Sequence, residues 1–284
     1  MLYQIDSTRA VELASARGDG IRLMLRGHLW KPPEVEHVNC WVDDLEQPRV
    51  FVFRHLCHII VVAEPAAYAP LLDDLLHQRI EQNASWPEQA VREEWDKQEK
   101  DPGRPRLVVH ATARSFSEAA IAAGFIPNED DRHKPHFFYY ATGEPRFSQH
   151  VKYPCRLGVG QELWELLRSG IQYDETGEYM RKCLDAGPSF VCEIDGPGGA
   201  QIAVCWSCTH IGGSMGAIFT PEEHRGHGYG RSLSAFQIDY MLATRGAAWC
   251  HVMHENIPSY ANLDIIGMPR LPEPMQWRML FWPE

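Results

Sequence analysis

The sequence lacks a long apolar run. Its longest apolar stretch, Ile59 to Ala63, predicts a buried strand. It falls far short of the roughly 20 residues that a helix needs to span a bilayer. The start of the chain, Met1 to Asp6, has no basic stretch followed by an apolar one, so we predict no signal peptide. We therefore expect no membrane partner.

Positive charge is scarce as well. The 284 residues contain 27 Lys and Arg against 38 Asp and Glu, which gives a formal net charge of -11. The overall field of such a chain repels nucleic acid, so we expect no nucleic-acid partner. The eight cysteines are scattered and lie mostly in apolar runs, which is typical of core residues in a reducing compartment. We predict a cytoplasmic protein.

The one closely spaced cysteine pair, Cys205 and Cys208, lies within a predicted strand, and no second pair of ligands accompanies it. A redox pair favours a helix start, and a structural zinc site needs four ligands. We therefore expect structural cysteines and no metal.

The length suits two domains. Low periodicity and three Gly or Pro residues between Thr142 and Pro154 mark a boundary, and we place the domains at residues 1–145 and 146–284. The second half is predicted to follow the order ααβββ-loop-αβαβ. Its elements are helices 161–168 and 176–186, strands 190–194, 200–209 and 215–220, a helix ending at Gly246, strand 249–253, helix 260–266 and strand 276–281. The first half also ends in strand, helix and strand, which indicates an internal duplication.

A glycine-rich loop, Arg225-Gly226-His227-Gly228-Tyr229-Gly230, links a predicted strand to a predicted helix. Glycines allow positive φ and close approach of a ligand to the backbone. The free N–H groups of the helix start favour an anion such as a diphosphate. The loop has no lysine and therefore is not a P-loop, and its glycine spacing differs from the dinucleotide fingerprint.

The spacing Arg225-x-x-Gly228-x-Gly230, after the third strand of an ααβββ run, resembles the coenzyme A loop of the GCN5-related N-acetyltransferases. The resemblance covers Gly158 to Glu284 and is closest to the glycine N-acyltransferase family. Other matching segments are Val204-Cys205-Trp206, Pro221 to Gly228, His251-Val252 with Asn256, and Gln276-Trp277. It implies an α/β fold with a mixed sheet, built as two tandem domains of which the first is degenerate.

The resemblance also implies a reaction. An acyl group would pass from acetyl-CoA or another acyl-CoA to the primary amine of a small molecule, such as an amino acid, by direct attack. Residues 218–220 would pair with the pantetheine arm, and the loop N–H groups would hold the diphosphate. The implied cofactor-binding residues are Ile218, Phe219, Thr220, Arg225, Gly226, His227, Gly228, Tyr229, Gly230, Arg231, Ser232, Asn256 and Ser259. We expect a monomer or a homodimer.

The catalytic positions depart from the family pattern. Gly213-Ser214 stands where the family places a glutamate base, and Leu263 stands where many members have a tyrosine acid. We name Ser214, His254 and Tyr260 as catalytic candidates, because His254 ends the predicted strand and histidine titrates near neutral pH. His210 is a further candidate. Two alternatives stay open: an acyl-CoA-binding protein with little or no catalysis, and an acetyltransferase for a protein amine or a toxic or antibiotic amine.

Overall fold

The computed structural model describes residues 2–18, 20, 22–23, 39–55, 58–78, 106–111, 114–127, 134–170, 177–210, 213–272 and 274–281. The capping-box pattern Ser85-Trp86-Pro87-Glu88 predicts a further helix, which lies outside these ranges. Over them, none of the helices combines the length and apolarity needed to cross a membrane.

The first half begins with an antiparallel meander in the order β1-β2-β3-β4. Valine, phenylalanine and isoleucine dominate β3 and β4, which suits a pleated, half-buried surface. Two helices pack on this sheet, and a strand, a helix and two further strands follow. The elements are β1 (Tyr3–Ile5), α1 (Ser7–Ser15), β2 (Asn39–Val42), β3 (Val50–His55), β4 (His58–Ala63), α2 (Tyr68–Gln78), β5 (Arg106–Ala111), α3 (Arg114–Ala122), β6 (Ile126–Pro127) and β7 (Lys134–Thr142).

The second half repeats this plan and keeps the predicted order, with one short extra strand, β8, at its start. Its sheet runs β11-β10-β9-β8. The elements are β8 (Cys155–Leu157), α4 (Gly160–Gly170), α5 (Glu178–Ala186), β9 (Ser189–Asp195), β10 (Gln201–Thr209), β11 (Met215–Phe219), α6 (Tyr229–Arg245), β12 (Ala247–Met253), α7 (Ile257–Ile266) and β13 (Met275–Phe281).

The two halves exchange strands in one shared sheet, which has the order β12-β7-β13-β5. The last strand of the first half, β7, pairs with β12 of the second half from Ala247↔Thr142 to Met253↔His136. The last strand of the second half, β13, pairs with both β7 and β5. The domains predicted as consecutive segments of sequence therefore meet in a single hydrogen-bonded sheet.

Apolar clusters cover both faces of the shared sheet. On one face, Phe138, Trp249 and Met275 pack against α1 and the first-half sheet. On the other face, residues of β7 and β12 pack against α6 and α7. Tyr139 of β7 also donates a hydrogen bond of 2.7 Å to Asp264 of α7, and burial, together with this bond to a carboxylate, raises the pKa of Tyr139. The first half thus helps to position the helix that follows β12.

Candidate functional site

The second-half sheet is irregular where β10 meets β11. Trp206 pairs with Phe219 and Cys208 pairs with Gly216, so two residues of β11, Ala217 and Ile218, lie opposite one residue of β10. This two-against-one pairing is a β-bulge, which bends the strand and turns its backbone groups out of the ladder. Ala217 has φ of 48°, the only positive φ among the described non-glycine residues. Such strain persists only where the surroundings enforce it, and it is common at functional sites.

A buried glutamine of α6 forms hydrogen bonds to β10 opposite the bulge. Gln237 of α6 is fully buried, accepts a hydrogen bond of 3.1 Å from the hydroxyl of Ser207 and donates one of 3.3 Å to the carbonyl oxygen of Cys208. Ser207 is the β10 residue that faces the bulge. This role of Gln237 is not predictable from the sequence, because a polar residue within an apolar helix face carries no signal of its partner.

The glycine loop follows β11 as predicted. Gly226 and Gly228 have φ of 82° and 89°, in the left-handed region that favours glycine. Gly228 is the N-cap of α6, and no side chain caps this helix end. The first-turn N–H groups of α6 therefore have no side-chain acceptor, and they carry the positive end of the helix dipole. An added Cβ at either glycine would meet no other atom within 4 Å, so both glycines border open space.

Several contacts hold the loop in place. Tyr229 is buried and its ring lies 4.5 Å from that of Tyr153, whose hydroxyl donates a 3.0 Å bond to the carbonyl oxygen of His227. Arg225 donates from Nε to the carbonyl oxygen of Thr220 at 3.0 Å. The Thr220 hydroxyl in turn contacts the sulfur of Cys205 at 3.1 Å. These bonds fix the loop against the end of β11.

Ser232 has a different role from the loop glycines. Its side chain is buried, accepts a 2.9 Å bond from the N–H of Lys152 and donates one of 3.4 Å to the carbonyl oxygen of His150. The hydroxyl therefore fastens the segment before β8 to the first turn of α6. Arg231 and Gly230 occupy that same first turn.

A cleft of about 350 Å³ lies between β11, at the end of the second-half sheet, and β12, at the end of the shared sheet. No ladder joins these two strands in the described part of the chain. The walls come from both strands, from α6 and from α7, and no Asp or Glu is among the described residues that line them. The lining residues are His210, Met215, Gly216, Ala217, Ile218, Ser234, Cys250, His251, Val252, Met253, Asn256, Ser259, Asn262 and Leu263.

Three of the predicted cofactor-binding residues line this cleft: Ile218, Asn256 and Ser259. Asn256 is the N-cap of α7, and its side chain accepts a bond of 3.3 Å from the N–H of Ser259. Phe219 is not a lining residue; its ring packs at 5.3 Å from that of Trp206. The cleft therefore borders β11, and Ser234 of its lining donates a 2.8 Å bond to the carbonyl oxygen of Gly230 in the first turn of α6.

The predicted catalytic residues lie outside the cleft lining. His254 and Tyr260 do come together, with ring centroids 6.1 Å apart, and both rings pack on Phe137 of the first half. The backbone N–H of His254 donates to the carbonyl oxygen of Pro135 at 2.8 Å. Ser214 lies in the turn before β11, where its carbonyl oxygen accepts from the N–H of His210. Leu263 does line the cleft, at the place of the expected tyrosine.

The cleft contains two imidazoles instead. His210 lies at one wall and His251 on β12 lies at the other. The ring of His251 is 5.1 Å from that of His136, which is fully buried and belongs to β7 of the first half. In the described part of the chain, no group of three or more His, Cys, Asp or Glu side chains has an arrangement that could hold a metal ion.

Comparison with known proteins identifies the fold. A family model described as "FR47-like protein" matches residues 197–272, which include the glycine loop. A search of curated protein sequences found no match. A Drosophila protein of known structure superposes with a TM-score of 0.61 at 14% identity, over 99% of this chain and 98% of that chain.

Two further solved structures, both of acetyltransferases, are similar to this chain. A GCN5-related N-acetyltransferase from Sphaerobacter thermophilus gives a TM-score of 0.52 at 13% identity, over 99% of this chain and 94% of that chain. An acetyltransferase of the GNAT family from Colwellia psychrerythraea gives 0.50 at 8% identity, over the whole of both chains. The chain therefore has the fold of the GCN5-related N-acetyltransferases along its full length.

Proposed function

We propose that this protein transfers an acyl group from an acyl-CoA to the primary amine of a small molecule. One observation carries the proposal: the lining of the cleft between β11 and β12 includes Ser234, which donates a 2.8 Å bond to the carbonyl oxygen of Gly230 in the uncapped first turn of α6, just after two left-handed glycines. An extended chain ending in a diphosphate matches both parts, because a strand edge pairs with an extended arm and a helix N-terminus binds an anion. Coenzyme A has this shape and charge.

Different residues of the second half would bind different parts of the acyl-CoA. The N–H groups at the start of α6, beside Gly226 and Gly228, would hold the diphosphate. The bulged backbone of Ala217 and Ile218 would receive the pantetheine arm. Arg225 lies with its guanidinium carbon 6.0 Å from the centroid of the Phe219 ring and is exposed, so it adds a positive charge at the mouth of the site.

The lining favours an amine that carries no cluster of positive charge. Polycationic acceptors, such as a polyamine or an aminoglycoside, are bound through carboxylates, and the described residues of the lining include none. The His251 imidazole and the Asn262 amide offer N–H donors to an acceptor that has its own carboxylate. An amino acid fits this description, which agrees with the resemblance of the sequence to the glycine N-acyltransferase family.

Coenzyme A release tests the proposal. The full chain is assayed with acetyl-, propionyl- and benzoyl-CoA against a panel of amines that includes glycine, other amino acids, spermidine and an aminoglycoside. We expect turnover with at least one amino acid and none with the polycations. Binding of CoA without turnover on any pair would favour a binding or sensing protein, and failure to bind CoA would refute both functions.

A further inference from the structure

The end of β10 holds a histidine in a fixed position beside the cleft. The N–H of His210 donates to the carbonyl oxygen of Ser214 at 2.8 Å, and the carbonyl oxygen of His210 accepts from the N–H of Gly213 at 2.7 Å. These two bonds close a tight hairpin between β10 and β11. Both backbone polar groups of His210 are therefore paired, and the position of its ring depends on its side-chain torsions.

The absence of a side chain at Gly216 admits the imidazole. An ideal Cβ built on Gly216 would lie 1.7 Å from Nε2 of His210 and 2.0 Å from its Cδ2. Any larger residue at position 216 would displace the ring. Because Gly216 and His210 both line the cleft, the Nε2 edge of the ring lies against the strand that borders the cleft.

The other ring nitrogen has a partner outside the cleft. Nδ1 of His210 lies 2.9 Å from the hydroxyl oxygen of Tyr179 on α5. The turn of α5 that carries Tyr179 is anchored by buried Met180 and Cys183. A ring nitrogen that donates to such a partner leaves the lone pair on the opposite nitrogen, which fixes the tautomer.

The hydroxyl of Tyr179 can take part in two hydrogen bonds. Side-chain hydrogen bonds from Cys208, His210 and Tyr179 together outweigh burial and lower the pKa of the Cys183 thiol to about 5. A Tyr179 hydroxyl that donates to Cys183 can also accept from Nδ1–H of His210, because a hydroxyl has one donor and two acceptor lone pairs.

We propose that His210 is the general base of the acyl transfer and that Tyr179 is a positioning residue that keeps the lone pair on Nε2. This inference rests on the proposed function. As the neutral amine attacks, its nitrogen lone pair forms the C–N bond to the thioester carbonyl carbon, and the C=O electrons move to oxygen. Nε2 accepts the proton that the nitrogen loses. Collapse of the oxyanion breaks the C–S bond, and the CoA thiolate takes the proton back from the imidazolium.

The remaining candidates fit this role less well. His254 and Tyr260 pack on Phe137 outside the cleft lining, and the serine hydroxyl of Ser214 is not a base at neutral pH. His251 does line the cleft, but its ring packs against buried His136 and Phe138 of the first half. His210 combines a place in the lining with a hydrogen-bond partner at Nδ1.

Steady-state kinetics and calorimetry on the full chain test the inference. His210→Gln should lower kcat by about 10²- to 10⁴-fold, the usual contribution of a general base, while the Kd for CoA stays unchanged. Tyr179→Phe should lower kcat by a smaller factor than His210→Gln. Tyr3→Phe, at an exposed position of β1, is the matched control and should leave kcat unchanged. Gly216→Ala should lower kcat although it retains His210, because the ring is displaced.

Chemical rescue separates a base from a structural residue. Imidazole added to His210→Ala should restore part of kcat, whereas it should not help Tyr179→Phe. The inference is overturned if His210→Gln retains wild-type kcat, if imidazole restores nothing, or if His254→Gln loses more activity than His210→Gln. Absence of wild-type turnover would overturn the proposed function and this inference together, whereas turnover that survives His210→Gln overturns only this inference.

Discussion

The two ends of α6 provide a matched pair of glycines that separates backbone strain from ligand binding. Gly228 at the N-terminal end and Gly246 at the C-terminal end have φ of 89° and 68°, and an added Cβ at either meets no atom within 4 Å. Replacing either with alanine should therefore cost the strain of the left-handed region alone, about 1–2 kcal/mol of the free energy of unfolding. Urea denaturation should give two similar losses of stability.

Binding of CoA should distinguish the pair. If the diphosphate contacts the N–H groups beside Gly228, a shift of this backbone weakens charge-assisted hydrogen bonds worth about 1.5–3 kcal/mol each. Since about 1.4 kcal/mol is tenfold in Kd, Gly228→Ala should weaken CoA binding by about 10- to 100-fold in calorimetry. Gly246→Ala should not weaken it at all. Equal CoA affinities in two variants of equal stability would refute the placement of the diphosphate at this loop.

Three further predictions concern stability. Gln237→Leu should lower the free energy of unfolding by about 1–3 kcal/mol, because it removes the buried partner of the Ser207 hydroxyl; an unchanged urea midpoint would contradict this. Ala217→Val should cost about 1–3 kcal/mol, because a β-branched residue adopts φ of 48° poorly, and a variant as stable as wild type would show that the bulge is not strained. The pKa of Cys183 is lowered to about 5 from an ordinary 9.0. Between these two pH values the thiol is ionised in the folded chain and protonated in the unfolded chain, so the free energy of unfolding should rise with pH from about 5 to 9. The free energy of unfolding of Cys183→Ser, measured by urea titration at pH 5, 7 and 9, should rise less with pH than that of the wild type. Identical pH dependence in the two proteins would refute the lowered pKa.

The elements of the second half were predictable because their signals are local. The three glycines of the loop, the spacing of apolar residues in α6 and the glycine at its end all act within a few residues of sequence. The strand boundaries of the second half consequently differ from prediction by at most one residue, except that β12 begins two residues earlier, at Ala247 and not at Trp249. The short β8 was missed, because three residues carry too little pattern.

The shared sheet and the cleft imidazole were not predictable in the same way. Pairing of β7 with β12 joins residues about a hundred positions apart, and no local pattern specifies such a partner. His254 was chosen because it follows a strand in sequence. His210 enters the cleft only because a hairpin turns back at Gly213 and because Gly216 leaves room for the ring. That second condition is visible only when β10 and β11 are placed side by side.

The strand exchange explains why a first half without a glycine loop accompanies the second. A strand that diverges from β11 to form a cleft loses its ladder on that side, so β12 needs a partner on its other edge. The partner is β7, which pairs with β12 along its whole length. The same strand places Phe137 under His254 and His136 behind His251. The first half therefore supports β12, a wall of the cleft, through its last strand, and this support is independent of any ligand that the first half could bind itself.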